Sequence, residues 1–400
     1  MRIYIIAGEE SGDLHGSNLV SELILKNNDV NIRAWGGDRM KLAGANVIKH
    51  INDISFMGFS QVLLNIRYIY QNLIFCRRDI ISFKPDAIIL IDYPGFNLRI
   101  ARFAKKHGIK VFYYISPKVW AWRTSRVEVI KRYVDKLIVI FPFEVDFFKK
   151  HGITAHYFGN PISDEIIKEK SSFGLPSALK DMNEFHSSAR NPLTYSLSHN
   201  PDIHKNIIVL VPGSREREVR MNLPIMLAAA GHFIDNFQIV IAATDNTYNL
   251  CLRMASHGEY RLIDIYAKYP PECIVVRGKT YALLRKSSAA VVTSGTATLE
   301  AAMLNIPQIV CYKTDILTYY LAKKLVKLEW ISLVNIILNK MAVTELIQED
   351  MNRDNLRKEL QDLLYTQKQK DILDAYQSLH TKIKGDQVSS KVADFILNNI

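Results

Sequence analysis

A carboxylate that leaves a buried hydrophobic strand is a reluctant anion, and Asp92 stands in that position, directly after the apolar run Ala87–Ile91. Partial loss of water raises a carboxyl pKa toward the range useful for taking a proton near neutral pH. The same aspartate could instead cap the helix that follows Pro94, and position alone leaves the two readings level. A second carboxylate, Glu9, comes after Gly8 at the end of the first apolar run, Ile3–Ala7. Glycines at 8, 12 and 16 permit close backbone approach there, but their spacing is neither G-x-G-x-x-G nor G-x-x-x-x-G-K-[ST]. A dinucleotide fingerprint and an ATPase loop are therefore set aside. What remains is a polar-ligand site around Glu9 or a tight turn capped by Ser11 or Asp13.

Two further loops carry anion-binding chemistry. Gly213-Ser214-Arg215 follows the run Ile207–Val211, and Ser294-Gly295-Thr296 follows Ala289–Val292, each at the start of a helix. Backbone N–H groups at a helix start, joined by an arginine fork, suit a pyrophosphate. Glu300 lies about one turn into the second helix, where ribose hydroxyls are within its reach. Either loop alone is as readily ordinary capping. Two in one domain favour a nucleoside-diphosphate site.

Aromatic and basic residues gather in two places. The stretch Ser116-Pro117-Lys118-Val119-Trp120-Ala121-Trp122-Arg123 sets two tryptophans, two cations and a proline in one loop after a strand. Trp120 and Trp122 are either core packing or a wall for sugar and acyl groups. Between Asp53 and Asp79, Met57 and Phe59 precede Leu63, Ile66, Ile69, Tyr70, Leu73, Ile74 and Phe75, flanked by Arg67, Arg77 and Arg78. That broad apolar face with basic flanks suits acyl chains or a membrane interface, or equally a helix packed on its own sheet.

The elements that must hold these residues are legible from periodicity. Short β-branched runs at Ile3–Ala7, Ala87–Ile91, Val111–Ile115 and Leu137–Ile140 read as strands buried on both faces of a parallel sheet. Helix-length segments at Gly16–Lys26, Asn97–His107 and Arg126–Tyr133 alternate with them, the pattern of a doubly wound α/β domain. A second strand-led series follows at Ile207–Val211, Gln238–Ala242, Cys273–Val276, Ala289–Val292 and Gln308–Tyr312. We therefore expect an N-terminal Rossmann-like domain over 1–169, a linker over 170–205, a C-terminal Rossmann-like domain over 206–353 and a charged helical tail over 354–400. Two α/β domains would make a cleft, a favoured ligand position.

Composition bounds the partners. The 400 residues are 48% hydrophobic and 23% charged, which is globular and needs about two domains. Four cysteines at 76, 251, 273 and 311 show no metal-ligand spacing and fit a reducing compartment. The first apolar run is too short for a signal peptide, and no stretch of about 18–20 apolar residues reads as a bilayer span. The net charge of +11 suits phosphorylated substrates or an acidic membrane surface, or is merely the basic bias of many bacterial chains. No nucleic-acid fold signature is present, so nucleic acid is not expected as a partner.

Taken in order, the loops resemble the lipid-A-disaccharide synthase family of glycosyltransferases. The matching stretches are Ala7-Gly8-Glu9-x-Ser11-Gly12-Asp13, Met57-Gly58, Lys84-Pro85-Asp86, Ile91-Asp92-x-Pro94-x-Phe96-Asn97 and Ser116-Pro117-x-Val119-Trp120-Ala121-Trp122-Arg123. Further on come Pro142-Phe143-Glu144, Gly159-Asn160-Pro161, Pro212-Gly213-Ser214-Arg215-x-x-Glu218-Val219 and Ser294-Gly295-Thr296-Ala297-Thr298-Leu299-Glu300. The series continues through Leu317-Thr318-Tyr319, Ala322-Lys323, Leu325-Val326-Lys327, Ile331-Ser332-Leu333-x-Asn335 and Glu345-Leu346-x-Gln348. Any one motif is weak; the ordered set, spanning roughly residues 1–350, is specific.

The resemblance implies a GT-B-like pair of Rossmann-type domains with the active site in the cleft. It implies transfer from UDP-2,3-diacylglucosamine to 2,3-diacylglucosamine 1-phosphate, giving a β-1,6-linked disaccharide 1-phosphate and UDP with inversion. Asp92 matches the family's essential aspartate and is expected to deprotonate the acceptor 6-hydroxyl; Glu9 is expected to orient the acceptor. Gly213, Ser214, Arg215, Ser294, Gly295, Thr296 and Glu300 would hold the UDP, with Asn335, Glu345 and Gln348 lining the donor side. Trp120, Trp122, Met57 and Phe59 would meet the acceptor and its acyl chains. No cofactor and no metal are implied, since an arginine and helix termini take over the metal's part. The cysteine usage points to a cytoplasmic protein, and the lipid substrates, the +11 charge and the apolar-basic helix near 62–78 point to peripheral association with the anionic inner-membrane surface. The family forms homodimers that exchange C-terminal elements, but this tail matches it too weakly to carry that over. Gly95, Gln61 and Val334 depart from common family residues; the first removes a second acid from the Asp92 loop. The rival readings are another UDP-sugar enzyme of this architecture, such as a UDP-GlcNAc 2-epimerase or a peptidoglycan glycosyltransferase, and a non-catalytic lipid-binding protein.

Overall fold

The structure, a computed structural model, describes residues 1–53, 66–121, 125–172, 206–256, 273–315, 319, 323, 328–383 and 385–400. Met57, Phe59 and Trp122 lie outside the described residues, as does the expected linker from 173 onward. The chain divides into two compact units, 1–164 with 383–400, and 165–382.

In the first unit seven strands form one parallel sheet: β1 (Arg2–Ala7), β2 (Asn31–Gly36), β3 (Asn46–His50), β4 (Ala87–Ile91), β5 (Lys110–Tyr114), β6 (Lys136–Val139) and β7 (Ala155–Tyr157). Their order is β3-β2-β1-β4-β5-β6-β7. All five residues of β4 are buried, because a central parallel strand is covered on both faces. Alternate residues serve opposite faces: Tyr4, Ile6, Ile88, Leu90, Val111 and Tyr113 join one core cluster, and Ile3, Ile5, Ile89, Ile91, Phe112 and Tyr114 the other.

The second unit repeats the plan with β8 (Asn206–Val211), β9 (Phe237–Ala243), β10 (Cys273–Arg277), β11 (Ser287–Thr293), β12 (Gln308–Tyr312) and β13 (Glu345–Ile347), also parallel. The order is β10-β9-β8-β11-β12-β13. Both sheets therefore run outward through three strands and then resume on the other side of the first. That reversal opens a crevice beyond the carboxyl ends of β1 and β4, and of β8 and β11. The α/β class with two Rossmann-like sheets is the one the periodicity implied.

The tail is not one segment. The helices Arg353–Tyr365 and Lys368–Ile383 stay with the second unit, where Tyr376 donates its hydroxyl proton to the Ile306 carbonyl and accepts from Gln308 Nε2. The helix Val388–Leu397 returns to the first unit and lies along the helix Glu10–Lys26. Val388, Val392, Ala393 and Ile396 are fully buried in the cluster on that face. Asp164 accepts from the Val388 and Ser389 N–H groups at 3.0 and 2.7 Å, so a carboxylate caps the positive end of this helix.

Candidate active site

The crevice of the first unit collects the two carboxylates singled out by sequence. Gly8 and Glu9 follow β1, and Asp92 follows β4, so both lie at the reversal point. Asp92 and Tyr93 are left-handed, with φ of 43° and 48°, and Ile115 after β5 has φ 62°. Such backbone is costly for residues with a Cβ, most of all for a β-branched isoleucine, and it persists where surrounding bonds dictate it. Here they do. The Asp92 carbonyl accepts from Tyr113 Oη at 2.6 Å and from Asn97 Nδ2 at 2.8 Å, and the same Asn97 amide reaches the Ile6 and Ile91 carbonyls. The Asp92 N–H donates to the Tyr114 carbonyl at 3.3 Å. With its main chain spoken for, the half-buried Asp92 presents its carboxylate.

Burial raises the Asp92 carboxyl most, and the charge of Glu9 adds to it; together they push it up to about 7, against the opposing pull of Lys118 and the Tyr93 N–H. A carboxylate with that value is both populated and basic at neutral pH, as a general base requires. Gly8 explains how Glu9 and the Tyr93 loop come so close. A Cβ at position 8 would stand 2.3 Å from Tyr93 Cγ, so the ring lies directly on the glycine. Asp13, one of the two caps considered for this turn, does something else: it accepts from the N–H groups of Gly37, Arg39 and Met40 and holds the turn after β2.

The aromatic loop after β5 is organised by a residue that belonged to a matched stretch yet was not assigned a role. Glu144 is buried, and its carboxylate accepts from Ser116 Oγ (2.7 Å), Trp120 Nε1 (3.0 Å) and the Ile140 and Phe141 N–H groups (3.2 and 3.1 Å). Burial raises its carboxyl, and these four donors pull the other way. Trp120 is half-buried, edge-on to Phe143 at 5.0 Å, and part of its indole faces outward. It is therefore a pinned wall of the loop.

The second unit places its anion loops at its own reversal point. Gly213-Ser214-Arg215 follows β8 and leads into the helix Glu216–Ala230; Ser294-Gly295-Thr296 follows β11 and leads into the helix Thr296–Met303. Gly213 has φ +121°, and a Cβ there would meet Glu218 at 2.6–2.7 Å. Glu218 curls back so that its carboxylate accepts from the Ser214 N–H (3.2 Å) and Arg215 Nη1 (3.0 Å). The loop thus surrounds a carboxylate of its own helix. Ser214, Arg215, Gly295 and Thr296 are exposed, and Glu300 is half-buried one turn into its helix.

Four other residues expected on the donor side have their polar atoms engaged within the unit. Ser294 Oγ donates to the Ile331 carbonyl at 3.0 Å. Asn335 is fully buried, donating to the Val343 carbonyl and Glu345 Oε1 and accepting from the Ala342 and Val343 N–H groups. Glu345 also accepts from the Ile331 and Ser332 N–H groups, both at 2.9 Å. Gln348 clasps both the N–H and the carbonyl of Thr314 after β12. These residues shape the chain around the strand ends. An ion pair of Arg217 with Asp315 joins the Arg215 loop to the same post-β12 segment. Among the described residues no cluster of three or more metal-ligating side chains occurs.

Comparison with known proteins follows the same lines. A family model described as lipid-A-disaccharide synthetase matches residues 3–399. The lipid-A-disaccharide synthase of Geobacter sulfurreducens is 34% identical over 364 residues, covering 90% of this chain and 86% of that protein. The enzyme of the same name from Coxiella burnetii is 34% identical over 362 residues, 90% of this chain and 88% of its own. Among solved structures, UDP-GlcNAc 2-epimerases from Neisseria meningitidis and Methanocaldococcus jannaschii each align at TM-score 0.63 and 12% identity. The first covers 100% of this chain and 99% of its own, the second 100% of both. At that identity they share the two-sheet architecture alone.

Proposed function

The chain belongs to the lipid-A-disaccharide synthetase family, and on that premise we propose that it is an inverting glycosyltransferase of lipid A biosynthesis. It joins UDP-2,3-diacylglucosamine to 2,3-diacylglucosamine 1-phosphate through a β-1,6 bond and releases UDP. The observation that carries the mechanism is Asp92: a carboxylate at the mouth of the first crevice, held up to about 7 by burial and by Glu9. In a single displacement the acceptor 6-hydroxyl oxygen attacks the anomeric carbon of the donor. The hydroxyl proton passes to Asp92, the bond from that carbon to the phosphate oxygen breaks, and its electron pair leaves with UDP. Glu9 orients the acceptor beside the base.

Charge then grows on the departing diphosphate, and the second unit supplies the groups suited to it. Arg215 brings a guanidinium fork, and the helix starts at Ser214 and Thr296 bring backbone N–H groups. Glu218 must give up its bond to Arg215 when a diphosphate takes its place. Ser294, Asn335, Glu345 and Gln348 act through the shape of this pocket.

The protein works at a membrane surface in this proposal. The helix Ile66–Phe83 exposes Tyr70, Phe75 and Ile81 together with Arg67 and Arg78, a mixture suited to an anionic lipid surface. No helix among the described residues is long and apolar enough to cross a membrane.

The experiment is UDP release by the purified full chain given both diacylated sugars, beside Arg215→Met. Acceptor-dependent release with a lipid disaccharide as product is expected, and the variant should lose about 100- to 1,000-fold in kcat. Release that is independent of the acceptor would point to a hydrolase or epimerase instead.

A further inference from the structure

Along the run Val111–Val119 every residue is buried except Lys118. Its main chain is fixed from both sides. Ser116 and Trp120 both donate to Glu144, the Val119 N–H donates to the Pro117 carbonyl at 2.6 Å, and the Ala121 N–H donates to the Lys118 carbonyl at 3.1 Å. An exposed ammonium at the tip of so tightly held a loop adds little to the fold. Topology puts this loop beside the Asp92 turn. The loop continues β5, which is hydrogen-bonded to β4 up to Ile91 and Tyr114, and Lys118 is close enough to oppose the rise of the Asp92 carboxyl.

The acceptor read above carries its phosphate on the same sugar ring as its attacking hydroxyl. With that hydroxyl at Asp92, the phosphate lies within one ring's span of two carboxylates, Asp92 and Glu9, which repel it. A cation on that side offsets the repulsion and favours binding of the ring. We propose that Lys118 binds the acceptor's phosphate and so makes the phosphorylated sugar the preferred acceptor; the inference rests on the function proposed above.

The test uses the full chain, its Lys118→Met and Lys118→Arg variants, and two acceptors, diacylglucosamine 1-phosphate and the same sugar without phosphate. The readout is the ratio of kcat/KM for the two acceptors, in which any general effect on folding or on Asp92 cancels. The ratio should fall about 10- to 100-fold in Lys118→Met, mostly through the KM of the phosphorylated acceptor, and be largely kept in Lys118→Arg. An unchanged ratio in Lys118→Met, with activity lost on both acceptors or on neither, would overturn the proposal and leave the enzyme assignment standing. No turnover by the unmodified chain would overturn the function itself, and this inference with it.

Discussion

The value near 7 for Asp92 makes the pH dependence of this enzyme predictable in sign and position. As the base proposed above, Asp92 reacts as the carboxylate, so the rate should rise with pH through that value. With an ordinary carboxyl at 3.8 the rate would be flat through the neutral range; with one near 7 about a tenth of the enzyme is ionised at pH 6 and about nine-tenths at pH 8. Thus kcat/KM for the acceptor, followed by UDP release at saturating donor and fixed ionic strength, should rise close to tenfold between pH 6 and 8. Asp92→Asn should lose about 100- to 10,000-fold and lose that limb as well. The same shift has a cost in stability. Because the carboxyl is raised in the folded chain, its protonated form favours folding; that contribution is complete below about pH 4 and is lost as the pH climbs through 7. Asp92→Asn should therefore unfold at a higher temperature than the unmodified chain at pH 8, with no such gain at pH 4. The ceiling on the difference is about 4 kcal/mol, from roughly three pKa units. A rate profile flat from pH 5.5 to 8, or a limb centred near 4, would refute the argument that burial and Glu9 create the base.

Two other outcomes follow from particular contacts. Gly8→Ala sets a Cβ against the Tyr93 ring, so thermal denaturation should show a loss of about 1–3 kcal/mol, and kcat should fall as the Asp92 turn shifts. Vesicles rich in anionic lipid should bind the chain at low salt and release it as salt rises, with Arg67→Glu/Arg78→Glu weakening sedimentation; binding insensitive to salt and to these charges would count against the exposed face of Ile66–Phe83.

Much of the architecture was legible because buried parallel strands write themselves as short apolar runs. All nine strands expected from such runs are present, within one or two residues at their ends. The four strands not anticipated, β2, β3, β7 and β13, have a polar or half-exposed character: Asn31-Ile32-Arg33 opens β2, and Lys49 and His50 close β3. Three of them lie at sheet edges, where one side is not covered and the apolar signal fades. The position of Asp92 was legible for a related reason, since a charge directly after a buried strand marks its carboxyl end. Partners were not legible. Asn335, Glu345 and Gln348 have residue types that bind sugars and nucleotides, yet the same amides and carboxylate serve main-chain N–H groups equally well. Glu144 reads as one more acid opening a helix; two of its donors, the Ile140 and Phe141 N–H groups, are local, but Ser116 and Trp120 come from a segment that only the fold brings to it.

The helix Val388–Leu397 completes the core of a unit whose sheet is encoded before residue 164. On the ribosome that order has a price in exposure. The seven strands can assemble while the second unit is still being made, but the side of Glu10–Lys26 that Val388, Val392 and Ile396 cover stays bare until the whole intervening sequence has emerged. Such an unfinished face is a natural binding site for chaperones during synthesis. For the same reason, a fragment cut at the boundary between the units would carry an open core.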